Sequence, residues 1–318
     1  MKCSFKAAFT AAILAVGLAA TAGSSFAAEP ESCKKARFSD VGWTDITATT
    51  AVASVLLEAL GYEPEVQVLS VPVTYTSLKN KDIDVFLGNW MPTMENDIKP
   101  YREDGSVETL GANLEGAKYT LAVPKYTYEA GLKDFADIAK FRDQLGSRIY
   151  GIEPGNDGNR LILDMISNDK FGLKGFELVE SSEQGMLAQV AKSTKAKEPV
   201  VFLGWEPHPM NANFEMAYLS GGDEVFGPNF GGATVYTNVR KGYVSECPNA
   251  GKLVSNLEFT LGMENEIMGA ILNDGKEAKA AAKEWLKAHP ETVAPWLEGV
   301  TTFDGGDAKA AVTAALGS

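Results

Sequence analysis

The stretch Val85-Phe86-Leu87-Gly88-Asn89-Trp90-Met91-Pro92 returns in altered form as Val201-Phe202-Leu203-Gly204-Trp205-Glu206-Pro207. Each copy is a short apolar run, then a glycine, a tryptophan and a proline. An apolar run of this length reads as a strand buried on both faces, with Gly and Pro punctuating its carboxyl end. One copy lies in each half of the chain, and around each copy strands and helices alternate. Arg37–Trp43 reads as a strand. A helix follows over 44–60, opened by Thr44, Asp45 and Thr47 and closed by Gly61. Glu65–Val71 is a second strand, 72–80 a short helix behind Pro72, and 93–103 another helix. Farther on, strands are predicted at 119–123, 147–152, 176–179 and 233–238, and helices at 134–145, 157–167 and 182–193. The tail from 250 to 297 reads as four helices separated by Gly or Pro. Such alternation specifies mostly parallel strands with crossover helices, an α/β fold. The chain is long enough to form two such lobes rather than one sheet.

Three tryptophans, Trp43, Trp90 and Trp205, follow strands beside Gly or Pro. Ligands of open α/β sheets sit outside the carboxyl ends of strands, so these positions predict a pocket lined by rings. Trp285 and Trp296 lie in the helical tail at core-like spacing. A ring face is negative and attracts weakly hydrated cations, each desolvated contact being worth about 2 kcal/mol. Three or four rings around one quaternary ammonium supply roughly 6–8 kcal/mol before ordering costs. A sugar site would need many polar partners and a phosphorylated ligand would need cations. The ring-bearing segments carry Asp45, Glu95 and Glu206 instead. For any single ring, an ordinary core position is the alternative.

Lys and Arg total 29 against 42 Asp and Glu, a formal charge of −13. That balance argues against nucleic acid, and the densest basic group, Lys192, Lys195 and Lys197, is too sparse for a phosphate footprint. Lys2 and Lys6 precede an Ala-rich apolar run from Ala7 to Ala22, followed by Ser24, Ser25, Phe26, Ala27 and Ala28. Residues 1–27 therefore read as a secretory signal peptide cut after Ala27. Its removal takes two lysines with it and brings the charge to −15. Cys3 precedes the apolar run and is not placed like a lipid-anchored cysteine. Cys33 and Cys247 remain, and two cysteines in an exported chain predict a disulfide. Closing so long a loop is worth roughly 4–5 kcal/mol in the chain-entropy picture. A cysteine pair without a lipid-anchor cysteine favours the periplasm.

The run Gly42-Trp43-Thr44-Asp45, the segment Gly88-Asn89-Trp90-Met91-Pro92, Tyr119, the turn Glu153-Pro154-Gly155-Asn156 and Gly204-Trp205 together resemble substrate-binding proteins of ABC importers for quaternary ammonium compounds. The resemblance covers essentially the whole mature chain. It implies a type II periplasmic-binding-protein fold, with two α/β lobes joined by two hinge crossings and closing over ligand. Lobe one is expected over residues 31–115 and 218–318 and lobe two over 116–217, with crossings near Gly111–Gly116 and Leu219–Gly222. Trp43, Trp90, Tyr119 and Trp205 would form an aromatic box around a trimethylammonium group, and Asp45 and Asn156 would meet the ligand's polar end. The partners it implies are a small quaternary ammonium ligand and a membrane permease, with the binding protein itself a monomer.

The residues supply a discriminator beside the resemblance. Asp45 attracts a cation and accepts from a hydroxyl, but repels a carboxylate, which favours choline over glycine betaine. Asp45 also reads as a helix N-cap, and the two roles can coexist. Asn156 reads as a cap after Pro154-Gly155; it suits a hydroxyl, yet a helix N-terminus there could receive a carboxylate, which keeps betaine or carnitine as the alternative.

No enzyme is legible. His208 and His289 each precede a proline and cannot pair on a helix; His208 could sit at the pocket rim. There is no Gly-x-Ser-x-Gly elbow, and Gly111–Gly116 has P-loop glycine spacing without the required Lys. A choline-ester hydrolase, the rival from another class, would need a nucleophile and a base beside the rings. No cofactor or metal site is expected, and Asp157 with Asp164, or Asp304 with Asp307, read as solvated faces.

Overall fold

The computed structural model describes Met1 and residues 28–317. The signal-peptide reading, with its cut after Ala27, falls outside the described residues. Two parallel three-strand sets bracket the sheet. The first comprises β1 (Lys35–Asp40), β2 (Glu63–Val68) and β3 (Val85–Met91), joined by α1 (Thr44–Ala59) and α2 (Val71–Asn80). After α3 (Glu95–Glu103) the chain enters β4 (Val107–Pro124), which is followed by α4 (Lys125–Glu129). The second set follows: β5 (Arg148–Tyr150), α5 (Asp157–Ser167), β6 (Glu177–Val179), α6 (Glu183–Ala196) and β7 (Phe202–Glu206). Short β8 (Met216–Tyr218) and then β9 (Gly232–Arg240) close the sheet.

Hydrogen bonds run through the strands in the order β2-β1-β3-β9-β4-β7-β5-β6, with β8 beside β4. The expected parallel sets are therefore present, but the join between them is antiparallel: β3 pairs β9, β9 pairs β4, and β4 pairs β7. The segment expected to be a glycine crossing is itself strand. β4 pairs β9 with register shifts at Thr109/Gly111, Ala112/Leu114 and Leu114/Ala117, and its far end pairs β7. Irregular pairing of this kind bends a long strand, so one strand serves both halves of the sheet.

The tail covers the first set. Helices Leu261–Leu272 and Ala278–Ala288 pack on α1, and helix Ala308–Leu316, which the sequence reading omitted, joins them. The predicted helix at 134–145 is a 3-10 turn, Phe135–Phe141, capped by Asp134. Trp296 is core, but Trp285 is only half buried and donates its Nε1–H to Glu266 at 2.6 Å. Cys33 and Cys247 form the expected disulfide, both buried, with Cα atoms 5.5 Å apart. It fastens the chain just ahead of β1 to the start of helix Pro248–Asn256. Among the described residues no helix is long and apolar enough to cross a membrane.

Candidate functional site

The β1–α1 turn is fixed by Asp40, which accepts from the Gly42 N–H at 2.7 Å and the Thr47 hydroxyl at 2.7 Å. Gly42 sits at φ +83°, a left-handed conformation suited to glycine. This turn delivers Trp43 as the N-cap of α1 and Asp45 inside its first turn. Trp90 comes from β3, and Tyr119 and Trp205 stand directly opposite each other in the β4–β7 ladder. Directly opposed residues share one face of a sheet, so pairing alone places these two rings together.

The sequence-predicted residues Trp43, Asp45, Trp90, Tyr119 and Trp205 line one cavity, together with Ile152 and Asp157. Its non-atom space is about 260 Å3. Tyr119 lies edge-on to Trp90, with centroids 6.1 Å apart, and to Trp205, at 6.3 Å. The polar edges of three rings are anchored. Trp43 Nε1–H donates to Glu153 Oε1 at 2.9 Å, Trp90 Nε1–H to Asp45 Oδ2 at 3.2 Å, and the Tyr119 hydroxyl to Asn156 Oδ1 at 2.8 Å. A Cβ on Gly158 would fall 2.1 Å from the Tyr119 hydroxyl, so only glycine permits that approach.

Asn156 is the N-cap of α5, accepting from the Asn159 N–H at 3.1 Å, and it touches the cavity's wall through Tyr119 rather than lining it. Its capping reading is thus realised. Asp45 is not the N-cap: that position of α1 is Trp43, whose own side chain makes no capping bond. Asp45 Oδ2 holds Trp90, and its buried Oδ1 has no protein partner. Asp157, expected on a solvated face, is instead 1% exposed; Oδ1 accepts from Asn156 and Oδ2 is likewise unpartnered. The sequence signal misled because an acid in a first helical turn is ordinarily a surface residue. Glu95 and Glu206 stay out of the cavity, paired with Arg102 at 2.5 Å and Lys118 at 3.2 Å.

Electrostatics follow from this crowding of acids. Burial pushes Asp45 from 3.8 up to about 8; the neighbouring Glu183 adds to the rise, and the Trp90 N–H opposes it. Burial likewise raises Asp157, and lifts Glu153 from 4.5 to about 7. Glu264, on helix Leu261–Leu272, is raised well above its usual range by burial and then by Asp45. The cavity offers ring faces and two carboxylate oxygens without donors. This environment fits a cation of low hydration and disfavours an anion. His208 is buried behind the wall, its ring 4.8 Å from that of Trp205, and not at the rim. His289 stacks on Trp285. Among the described residues no cluster suited to a metal ion is present.

Residues 34–288 match the family described as the substrate-binding domain of the ABC-type glycine betaine transport system. The chain belongs to this family. A solved ABC-transporter choline-binding protein in complex with choline superposes with a TM-score of 0.90 at 71% identity, covering 91% of this chain and 100% of that one. An ABC-transporter choline-binding protein in an unliganded semi-closed conformation gives 0.84 at 70% identity over the same shares, 91% and 100%. A glycine betaine/carnitine transport binding protein of Listeria monocytogenes is 31% identical over 167 residues, 52% of this chain and 54% of that protein. The substrate-binding family and the two-lobed α/β fold of such proteins thus agree with the architecture described above.

Proposed function

We propose that this chain binds choline outside the cytoplasm and hands it to the permease of an ABC importer. The observation that carries the reading is the pairing of four ring faces with two donor-free carboxylate oxygens, on Asp45 and Asp157, in one buried cavity. Trp43, Trp90, Tyr119 and Trp205 surround the trimethylammonium group. Asp45 supplies opposite charge, and Asp157, held by Asn156, accepts from the ligand hydroxyl. The likeness to a protein solved with choline supports the same ligand.

Lobe one comprises 31–115 and 218–318 and lobe two 116–217. The lobes close over the ligand and expel water, which strengthens every contact inside. The exported protein works in the periplasm as a monomeric carrier rather than a catalyst, a reading supported by its membership of a substrate-binding family. Glycine betaine is the second reading, favoured by the family description and the Listeria relative. It meets an obstacle here, because its carboxylate would face Asp45 and Asp157. Titration calorimetry with choline, acetylcholine and glycine betaine decides between them. Choline is expected to bind tighter than betaine by at least about tenfold; tighter betaine binding would overturn the assignment.

A further inference from the structure

Helix α1 begins at Thr44, between Trp43 and Asp45, and no side chain of its own turn caps it. Its cap comes from 139 positions away. Glu183, the first residue of α6, accepts the Thr44 N–H at 2.8 Å through Oε2 and the Thr44 hydroxyl at 2.5 Å through Oε1. The carboxylate is buried, and an anion at a helix N-terminus meets both free N–H groups and the positive end of the dipole. His208 holds Glu183 from behind. The Met210 N–H donates to His208 Nδ1 at 2.9 Å, which leaves Nε2 as the N–H facing Glu183 Oε1 at 3.2 Å. Since His208 also packs on Trp205, one short chain of contacts links a box ring on β7 to the helix start that carries Trp43 and Asp45.

We infer that Glu183 is a positioning residue: a buried latch that joins the two lobes only when they are closed and so sets how long the ligand stays. The inference rests on the proposed lobe division and ligand. In an open molecule Glu183 and the start of α1 face water separately, and each is satisfied by it. On closure they satisfy each other, and the latch aligns Trp43 and Asp45 on the cage. Among the other polar ties across the division, Trp43 Nε1–H to Glu153 holds a box ring by its edge, whereas Arg160–Asp97 and Lys170–Glu224 are more exposed and touch no box residue.

The test is stopped-flow binding of choline to the full-length mature protein, together with melting of the ligand-free protein. Glu183→Gln is expected to speed choline dissociation about tenfold and leave association within about twofold, since the latch forms after encounter. Thr44→Val should give a smaller effect in the same direction, and Thr44→Ser, which restores the hydroxyl, should recover the wild-type rate. Ligand-free melting should shift by less than about 2 °C, whereas a merely structural role would lower it in proportion to the loss of binding. An unchanged dissociation rate in Glu183→Gln, or a loss of ligand-free stability that accounts for the binding defect, overturns the latch. Wild-type protein that gives no signal with choline refutes the ligand reading instead, and the same variants are then measured with glycine betaine.

Discussion

The two copies of the strand-glycine-tryptophan-proline segment build the two sides of the cavity by different means. In β3, Trp90 spends its N–H on Asp45, so ring and carboxylate are one unit and the second carboxylate oxygen is left for the cavity. In β7, Trp205 stands opposite Tyr119 across the ladder, its ring backed by His208, and the nearby acid, Asp157, is held by Asn156 instead. Both segments end in a cis X–Pro bond, at Met91-Pro92 and Glu206-Pro207. One side thus bonds its acid directly to its ring, while on the other the acid is held by Asn156. Removing a ring should consequently do different things on the two sides. Trp205→Ala deletes one cation–π face and should weaken choline binding about 30-fold, from a desolvated contact near 2 kcal/mol. Trp90→Ala deletes a face and also releases Asp45, so its loss should exceed that of Trp205→Ala. Calorimetry on both variants checks the order; equal losses would mean that the Asp45–Trp90 bond contributes nothing to binding.

The acids sharpen the same contrast. Asp45→Asn should lower choline affinity by about tenfold at high pH and leave glycine betaine affinity unchanged or improved, because only the cationic ligand gains from the charge. Asp157→Asn, where an amide can still meet a hydroxyl, should cost choline only about threefold. A reversed ranking in competition binding would transfer the charge role from the β3 side to the other.

How far these sides could be read in advance differs for a physical reason. Trp43, Trp90 and Trp205 were legible because Gly and Pro mark strand ends within a few residues of them. Tyr119 carried no such mark and was placed by the family resemblance; the ladder partner that explains it, Trp205, lies 86 positions on. Asp157 could not be recognised, because its burial is made by residues brought over from the other half of the chain. Glu183 was missed in the same way, because its partner Thr44 is remote in sequence, and His208 was placed at the rim because its bond to Glu183 could not be foreseen. Among the elements, β4 was halved because Gly111, Gly116 and the alternating polar residues between them look like a linker, although the bulges let them stay in register with β9. Helix Ala308–Leu316 has few large apolar residues, and only its cap at Asp307 signalled it.

The coupling of charge to ring at Asp45 also fixes a pH dependence. In the ligand-free protein Asp45 titrates near 8, above its ordinary 3.8, so the protonated form dominates below that value. A raised carboxyl group stabilises the fold below its unfolded pKa, and that contribution disappears as pH climbs through the folded value. A bound trimethylammonium reverses the preference, since it favours the carboxylate beside it. Binding must then expel up to one proton, and choline affinity should rise with pH, by about threefold between roughly pH 7.5 and 8.5 for one group titrating near 8. Glu153 titrates near 7 and could blur the profile, but it bonds Trp43 and does not line the cavity, so Asp45→Asn isolates its share. Calorimetry in two buffers of different ionisation enthalpy measures proton release directly. Wild-type protein should release nearly one proton at neutral pH and almost none at about pH 9.5, and Asp45→Asn should flatten the rise in affinity over roughly pH 7.5–8.5. An unaltered profile in that variant would move the titrating charge to another buried acid such as Asp157, and proton uptake on binding would refute ionisation of a cavity carboxyl group altogether.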